Sequence, residues 1–192
     1  IVVDGEKPEV DYVQATSSDG TYKLGALVNI AVTFDEVVKV TGTPSLKLET
    51  GATDAVVDYT SGTDTATLIF AYTVGTGHES ADLDTITDSL TGMILDAAGN
   101  AAVLTLPPGS WKNSLASQSA IEVNGKQPVV VDVTGADGTY KLGATVNIAV
   151  KFDEAVTVDE TGGTPSLKLE TGATDAVVAY TSGSGTDTLI FV

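Results

Sequence analysis

The sequence predicts an all-β fold that contains two copies of an antiparallel β-sandwich. Apolar and polar residues alternate along several short segments, as they do along strands with one buried face. Clusters of Gly, Asp, Ser and Asn separate these segments at intervals of about 8–12 residues, a spacing typical of sandwiches. The segment TPSLKLETGATDAVV at residues 43–57 recurs unchanged at residues 164–178, so one structural module is present in two copies.

Five segments of the first copy are predicted to be strands. Residues 10–15 open the module, and residues 28–34 carry Val, Ile, Val and Phe at every second position. Leucines alternate with polar residues at 45–49, and apolar residues alternate again at 68–74. Residues 103–106 form a short apolar run. Val, Thr and Tyr, which are enriched in strands, are frequent in these segments.

The connections between these strands carry turn residues. Gly, Asp, Asn and Ser cluster at 17–20, 51–54, 61–64 and 96–100, where side-chain hydrogen bonds and positive φ angles favour turns. The turn DAAGN at 96–100 is expected to be closed by its Asp and Asn side chains rather than to bind a metal. Residues 80–95 are ambiguous, because they could hold a helical turn before a strand.

A linker joins the copies, which begin about 120 residues apart, a spacing on the scale of a whole domain. IVVDGEKP at residues 1–8 corresponds to IEVNGKQP at residues 121–128. The Gly permits a turn, and the Pro fixes φ at the start of a new edge strand. A linker this short is expected to make the array semi-rigid.

The domain boundaries follow from this linker. We expect a complete sandwich at residues 5–124 and a partial second copy at residues 125–192. Phe70 of the first copy corresponds to Phe191 of the second, and only Val192 follows. The second copy is therefore expected to be truncated and to lack its last strands.

The acidity of the chain excludes some partners. Asp and Glu number 26 against 9 Lys and Arg, giving a formal net charge of −17. Proteins that bind nucleic acid or anionic membranes need clustered basic residues, so neither is an expected partner. Cysteine is absent, which rules out disulfides and thiol chemistry. No apolar run reaches the ~18 residues of a membrane-spanning helix, so no direct membrane insertion is expected.

Several separated motifs resemble a known family. In chain order they are DGTYKLGA, VNIAVTFDE, TGTPSLKLETG, TLIFAYTV, DAAGN and LTLP. This order is similar to that of the tandem bacterial immunoglobulin-like repeats of giant surface adhesins, the SwmB-type repeat. The resemblance covers all of the first copy and all of the second. It implies an immunoglobulin-like sandwich in an extracellular, calcium-influenced stalk on the bacterial cell surface.

Acids near the linker are candidate calcium ligands. If the strands follow immunoglobulin order, loops at one end of the first domain meet the linker and the facing loops of the second. Calcium takes ~6–8 oxygen ligands, which carboxylates and backbone carbonyls around a linker could supply. The alternative is that these acids are solvated in loops. The candidate ligands are Asp19, Glu79, Asp82, Asp84, Asn124, Asp153 and Glu154.

Asp153 and Glu154 repeat a pair in the first copy, Asp35 and Glu36. Paired carboxylates can serve acid–base catalysis when both face a cleft. Neighbouring residues at a strand end point in different directions, so a solvated turn is the favoured interpretation of the pair. A cation ligand is the alternative.

His78 and Trp111 are the chain's single histidine and single tryptophan. His78 has no second histidine or cysteine with which to form a zinc site, and no nucleophile to activate, so we expect a loop residue. Trp111 follows the turn residues PPGS and is expected to pack a long loop onto the sandwich. An exposed platform for a ligand is the alternative for Trp111.

The resemblance, together with the repeat, implies a non-enzymatic structural repeat that extends a bacterial surface adhesin or stalk. The sequence offers no nucleophile–base set that would indicate an enzyme. The expected partners are neighbouring repeats of the same chain, and residues 1–3 could add a strand to the open sheet of a neighbouring molecule. Calcium at the junctions between repeats would stiffen the array. The alternative function is a carbohydrate-binding module that uses Trp111.

Overall fold

The computed structural model describes residues 4–192, which are nearly all β. The predicted all-β fold is confirmed: several antiparallel sheets pack as a sandwich. The chain forms two compact units, one ending at Gln127 and the other running from Pro128 to Val192. The donor strand predicted at residues 1–3 lies outside the described residues.

The first unit contains strands β1 to β9 and one short helix, α1. In chain order these elements are β1 (Val10–Ala15), β2 (Gly20–Lys23), β3 (Leu27–Glu49), β4 (Ala55–Ser61), β5 (Thr65–Thr73), β6 (Glu79–Ser80), β7 (Asp84–Thr85), β8 (Thr91–Leu95), α1 (Leu115–Gln118) and β9 (Ile121–Asn124).

Strand β3 takes part in both layers of the sandwich. Its first half pairs antiparallel with β1 and β5, with Ile30 opposite Ala15 and Phe70. Its second half pairs with β4, β7 and β8. The sequence predicted two strands here, and the structure joins them. Val38 is buried and Val40 half-buried, so the apolar alternation continues across the gap and the backbone stays extended.

The buried faces of the two layers form one core. The alternating residues of the predicted strands lie in it, and burying each large apolar side chain stabilises the fold by ~1.5–3 kcal/mol. The core residues from β3 and β5 are Val28, Ile30, Val32, Phe34, Val38, Leu46, Leu48, Leu68, Phe70 and Tyr72.

A third, smaller sheet closes the first unit. Strand β9 pairs parallel with β2, with Gly20 opposite Ile121, and antiparallel with β6. The ambiguous residues 80–95 hold short strands and no helix. The helix α1 lies further on, after Ser114, whose hydroxyl accepts a hydrogen bond from Ser117 N. No sequence pattern predicted it, because four residues are too few to show a helical period.

The second unit is one sheet with the order β10-β11-β14-β13-β12. Its buried core contains only Val150, Leu189 and Phe191. No helix in the described part of the chain is long and apolar enough to cross a membrane. The strands are β10 (Val130–Gly135), β11 (Ile148–Val156), β12 (Ser166–Leu169), β13 (Ala176–Ser182) and β14 (Thr186–Phe191).

Candidate metal centre

Three acids from separate parts of the first unit converge at one end. Asp4 lies in the segment before β1, Glu36 lies in β3, and Asp96 directly follows β8. A carboxylate oxygen of each lies within 4.8 Å of those of the other two. Among the described residues of this unit, no other three His, Cys, Asp or Glu side chains meet in this way. Asp96 is buried and Asp4 is exposed, so the acidic cluster opens to solvent at Asp4.

The turn after β8 fixes the carboxylate of Asp96. The backbone N of Asn100 donates to Asp96 Oδ1 at 2.7 Å, and Asn100 Nδ2 donates to Oδ2 at 2.6 Å. Asp96 N donates in turn to Asn100 O at 3.0 Å. The predicted turn closed by Asp and Asn side chains is confirmed. The same carboxylate nevertheless belongs to the acidic cluster, which the sequence did not predict.

Hydrogen bonds attach the segment before β1 to the same end of the unit. Asn100 Nδ2 donates to the carbonyl of Asp4 at 3.3 Å. Glu9 N donates to Asp35 Oδ1 at 2.8 Å, and Asp35 N donates back to Glu9 O at 3.0 Å. Asp35 therefore holds the segment just before β1 through these two hydrogen bonds. The side chain of its neighbour, Glu36, belongs to the acidic cluster instead.

The second copy repeats this attachment. Val129 N donates to Asp153 Oδ1 at 2.8 Å, and Asp153 N donates to Val129 O at 3.0 Å. Glu154 is half-buried, as is Glu36. The first acid of each pair, Asp35 or Asp153, thus accepts a hydrogen bond from a backbone amide of the segment before the first strand of its unit. It is therefore more than a solvated turn residue. By linker alignment, Asn124 stands at the position of Asp4.

The surroundings of Glu36 disfavour its ionised form. Burial raises the pKa of Glu36, and the charges of Asp96, Asp4, Asp35 and Glu6 raise it further. The contribution of Glu36 to the stability of the folded state is therefore fully present below pH 4.5, the ordinary pKa of a glutamate. It is lost as the pH rises through the raised pKa of Glu36. A cation bound beside Glu36 would offset these neighbouring charges and favour its ionised form.

Asp96 behaves in the opposite way. Burial raises its pKa, but hydrogen bonds from the side chain and backbone of Asn100 and from the Gly99 and Ala98 amides lower it by more. The net pKa of Asp96 lies below its ordinary value of 3.8. Its stabilisation is present above that pH and is lost as the pH falls through the lowered pKa. Asp96 is therefore a fixed negative charge beside Glu36 at neutral pH.

Three of the predicted ligands make other contacts in the first unit. Asp19 is exposed, and its Oδ1 accepts a hydrogen bond from Ala120 N at 2.9 Å. Glu79 forms an ion pair with Lys126 Nζ at 2.8 Å. Asn124 lies opposite Glu79 in the pairing of β9 with β6, so these two candidates are brought together.

Asp82 and Asp84 lie close enough to influence each other. Burial raises the pKa of Asp82, and the charge of Asp84 raises it further. Asp84 Oδ1 accepts hydrogen bonds from Thr85 N at 2.8 Å and Ala116 N at 3.4 Å. None of the acids predicted as ligands in the first unit belongs to a group of three, and the predicted ligand set stays a prediction.

The acidic cluster could have been found in part from the repeat. Two predicted ligands, Asn124 and Glu154, occupy the positions of Asp4 and Glu36 in the alignment of the copies. Applying the same reasoning to the first copy gives two of the three cluster members. Asp96 was missed because its role in the turn explained its presence.

His78 lies in the loop after β5, as predicted, and has a structural contact there. Gly75 N donates to its Nδ1 at 3.1 Å, and the Tyr72 hydroxyl lies 3.0 Å from the same nitrogen. Burial raises the pKa of Tyr72 to about 12, so this phenol stays protonated. These contacts fix the loop and provide no nucleophile.

Trp111 contradicts the prediction that it packs onto the sandwich. Its side chain is 59% exposed. Its backbone forms a turn, in which Trp111 N donates to Pro108 O at 2.8 Å and Ser114 N donates to Trp111 O at 3.0 Å. Leu106 and Leu115, on either side in sequence, fill the core in its place.

No family model, curated protein or solved structure matches the chain.

Proposed function

We propose that the chain is a non-enzymatic structural repeat of a bacterial cell-surface adhesin or stalk protein, and that it acts outside the cell. Two copies of one β module in a single chain support a role in length and spacing. The motif order that resembles the bacterial immunoglobulin-like repeats points to the same role. The excess of acids keeps a long array soluble and makes its modules repel one another.

The acidic cluster is the observation that carries the proposal. It joins a residue of the linker, Asp4, to two residues of the folded unit, Glu36 and Asp96. Three carboxylates, completed by backbone carbonyls and water, are a donor set for calcium, which prefers oxygen ligands. An ion held there would restrain the linker and offset the repulsion at Glu36. The proposed function of calcium is therefore mechanical.

The same arrangement would repeat along an array. Asn124 and Glu154 occupy the sequence positions of Asp4 and Glu36, so each linker carries an oxygen ligand and each module a glutamate. We propose that the partners of a module are the preceding and following modules, with calcium at each linker.

Calcium is expected to raise the Tm of the first unit. Extracellular calcium sites bind with Kd of ~10⁻⁴–10⁻³ M, so ~10 mM calcium should raise Tm by roughly 5 °C through preferential binding to the folded state. Differential scanning calorimetry with and without calcium measures this shift, with magnesium at equal concentration as the control for charge screening.

The Glu36→Gln variant separates a calcium site from general screening. Without calcium it should melt above the wild type at pH 7, because the repulsion on Glu36 is removed, and calcium should no longer raise its Tm. Asp58→Asn removes the same charge from an exposed position on β4 and should keep the full response to calcium. An equal calcium response in wild type and Glu36→Gln would contradict the proposed site.

The exposure of Trp111 favours a second candidate function, carbohydrate binding. An indole that is 59% exposed can stack on a sugar ring, as aromatic platforms do. If the chain is a carbohydrate-binding module, glycan-array binding should be present in the wild type and lost in Trp111→Ala. Met93→Ala, which removes another exposed apolar side chain, is the matched control and should bind normally.

A further inference from the structure

The linker leaves the first unit through a buried glycine, Gly125, which directly follows β9. Gly125 N donates to the carbonyl oxygen of His78 at 2.7 Å, and Gly77 N donates to the carbonyl oxygen of Gly125 at 2.9 Å. Glu79 lies opposite Asn124 in the pairing of β6 with β9. The two bonds at Gly125 continue that pairing by one residue, so the first unit holds the start of the linker by its backbone.

The loop that holds Gly125 leaves no space for a side chain there. A Cβ added to Gly125 would lie 2.2 Å from the carbonyl oxygen of Gly75 and 2.8 Å from that of His78. Both oxygens are backbone atoms, so neither can move aside as the end of a flexible side chain could. The φ of Gly125 lies outside the positive range that favours glycine, so lack of space alone excludes an alanine. We call residues 75–78 the linker clamp.

The imidazole of His78 supports the linker clamp from inside. Gly75 N donates to His78 Nδ1 at 3.1 Å, and His78 N donates to the carbonyl oxygen of Gly75 at 3.2 Å, so side chain and backbone close the same loop. A Cβ added to Gly75 would lie 2.8 Å from the ring. The ring stacks on that of Tyr72, a core residue, with centroids 5.9 Å apart. His78 therefore connects the linker clamp to the core.

The charged contact beside the linker clamp contributes less. Lys126 Nζ lies 2.8 Å from a carboxylate oxygen of Glu79, but both side chains are largely exposed. Exposed ion pairs stabilise a structure little and are screened by salt. The buried backbone hydrogen bonds of Gly125 do not depend on charge, so they are the contacts that hold the linker at this end of the unit.

We propose that Gly125 and the linker clamp fix the direction in which the linker leaves the first unit without a cation, and that His78 is the positioning residue of the clamp. This inference rests on the proposed function of the chain as a spacing repeat. Calcium at Asp4, Glu36 and Asp96 would restrain a linker at the unit that it enters. The linker clamp restrains a linker at the unit that it leaves, so the ion is needed at one side only.

The proposal is tested on the full chain in EDTA, where calcium makes no contribution. Hydrogen–deuterium exchange of the Gly77 amide should be slow, because its proton is bonded to Gly125. Gly125→Ala should speed this exchange roughly tenfold or more, and should also speed cleavage by trypsin after Lys126. Gly5→Ala is the matched control, since Gly5 aligns with Gly125 and nothing lies within 4 Å of an added Cβ. Both rates should stay at their wild-type values in that variant.

Two substitutions of His78 test its positioning role. His78→Ala removes the acceptor for Gly75 N and should speed exchange at Gly77 as Gly125→Ala does. His78→Asn keeps an acceptor close to the position of Nδ1 and should restore part of the protection. The Phe70 amide in β5 reports unfolding of the whole unit, and its exchange should not change in any of these variants.

Unchanged exchange and cleavage in Gly125→Ala would overturn the proposal. An equal acceleration at the Phe70 amide would also overturn it, because Gly125 would then support the whole fold. A Gly77 amide that is protected only when calcium is added would contradict the independence from a cation, and wild-type exchange in His78→Ala would contradict the role of His78. If calcium failed to raise Tm, the proposed metal site would be wrong while these measurements in EDTA stood, so the two proposals fail separately.

Discussion

Gly62→Ala is expected to destabilise the first unit by ~2–5 kcal/mol, the sum of a strained φ and a backbone overlap. Gly62 lies in the turn between β4 and β5 with a φ of +113°, and an added Cβ would lie 2.0 Å from the carbonyl oxygen of Thr67. The oxygen belongs to a paired strand, so it cannot move away without breaking the ladder. Thermal melting should show Tm lower by roughly 10 °C.

The control for this substitution separates overlap from strain. Gly42 has a φ of +77° and no heavy atom within 4 Å of an added Cβ. Gly42→Ala should therefore lower the free energy of unfolding by only ~1 kcal/mol. In the second copy, Gly183 repeats the overlap, with the Thr188 oxygen 2.1 Å from an added Cβ. If the Gly62→Ala and Gly42→Ala variants have the same Tm, the turn at Gly62 must shift to accommodate the added Cβ.

Phe70→Ala should destabilise the first unit by ~3–5 kcal/mol, the usual range for a buried aromatic residue. Phe70 is fully buried on β5 and meets Tyr59 edge-on, with ring centroids 6.2 Å apart. Because total stabilities are ~5–15 kcal/mol, this loss should leave the unit close to unfolding. Native-state hydrogen exchange of the β5 amides measures the loss in free energy.

Phe191→Ala is the matched variant in the second unit. Phe191 makes the same edge-on contact, with Tyr180 at 6.1 Å, but it is packed in a core that is largely half-buried. The surrounding side chains can collapse into the space, so the loss measured at the β14 amides should be smaller than that of Phe70→Ala. Equal losses would mean that the second core is as tightly packed as the first.

The sandwich core was predictable because it depends on local alternation. Val28, Ile30, Val32 and Phe34 were expected on one face, and all four are buried. The union of two predicted strands into β3 was not predictable, because it depends on partners that approach from elsewhere in the chain. Local pattern reports which face is buried and does not report which strands pair.

The candidate site was predictable only in kind. The sequence indicated acids near a linker, and the structure brings together Asp4, Glu36 and Asp96. Their approach depends on tertiary contacts: Asp35 holding Glu9, and Asn100 reaching both Asp4 and Asp96. The exposure of Trp111 was missed for a related reason, since only the fold shows that Leu106 and Leu115 are the residues of this region that fill the core.

The parallel pairing of β2 with β9 has a consequence for force. These strands lie near opposite ends of the first unit in sequence, with Gly20 opposite Ile121 and Lys23 opposite Asn124. Tension that draws the two ends apart slides one strand lengthwise along the other. The bonds between them are then loaded in shear and must give together, whereas a hairpin opens one bond at a time. This small sheet is therefore the part of the unit best placed to resist pulling.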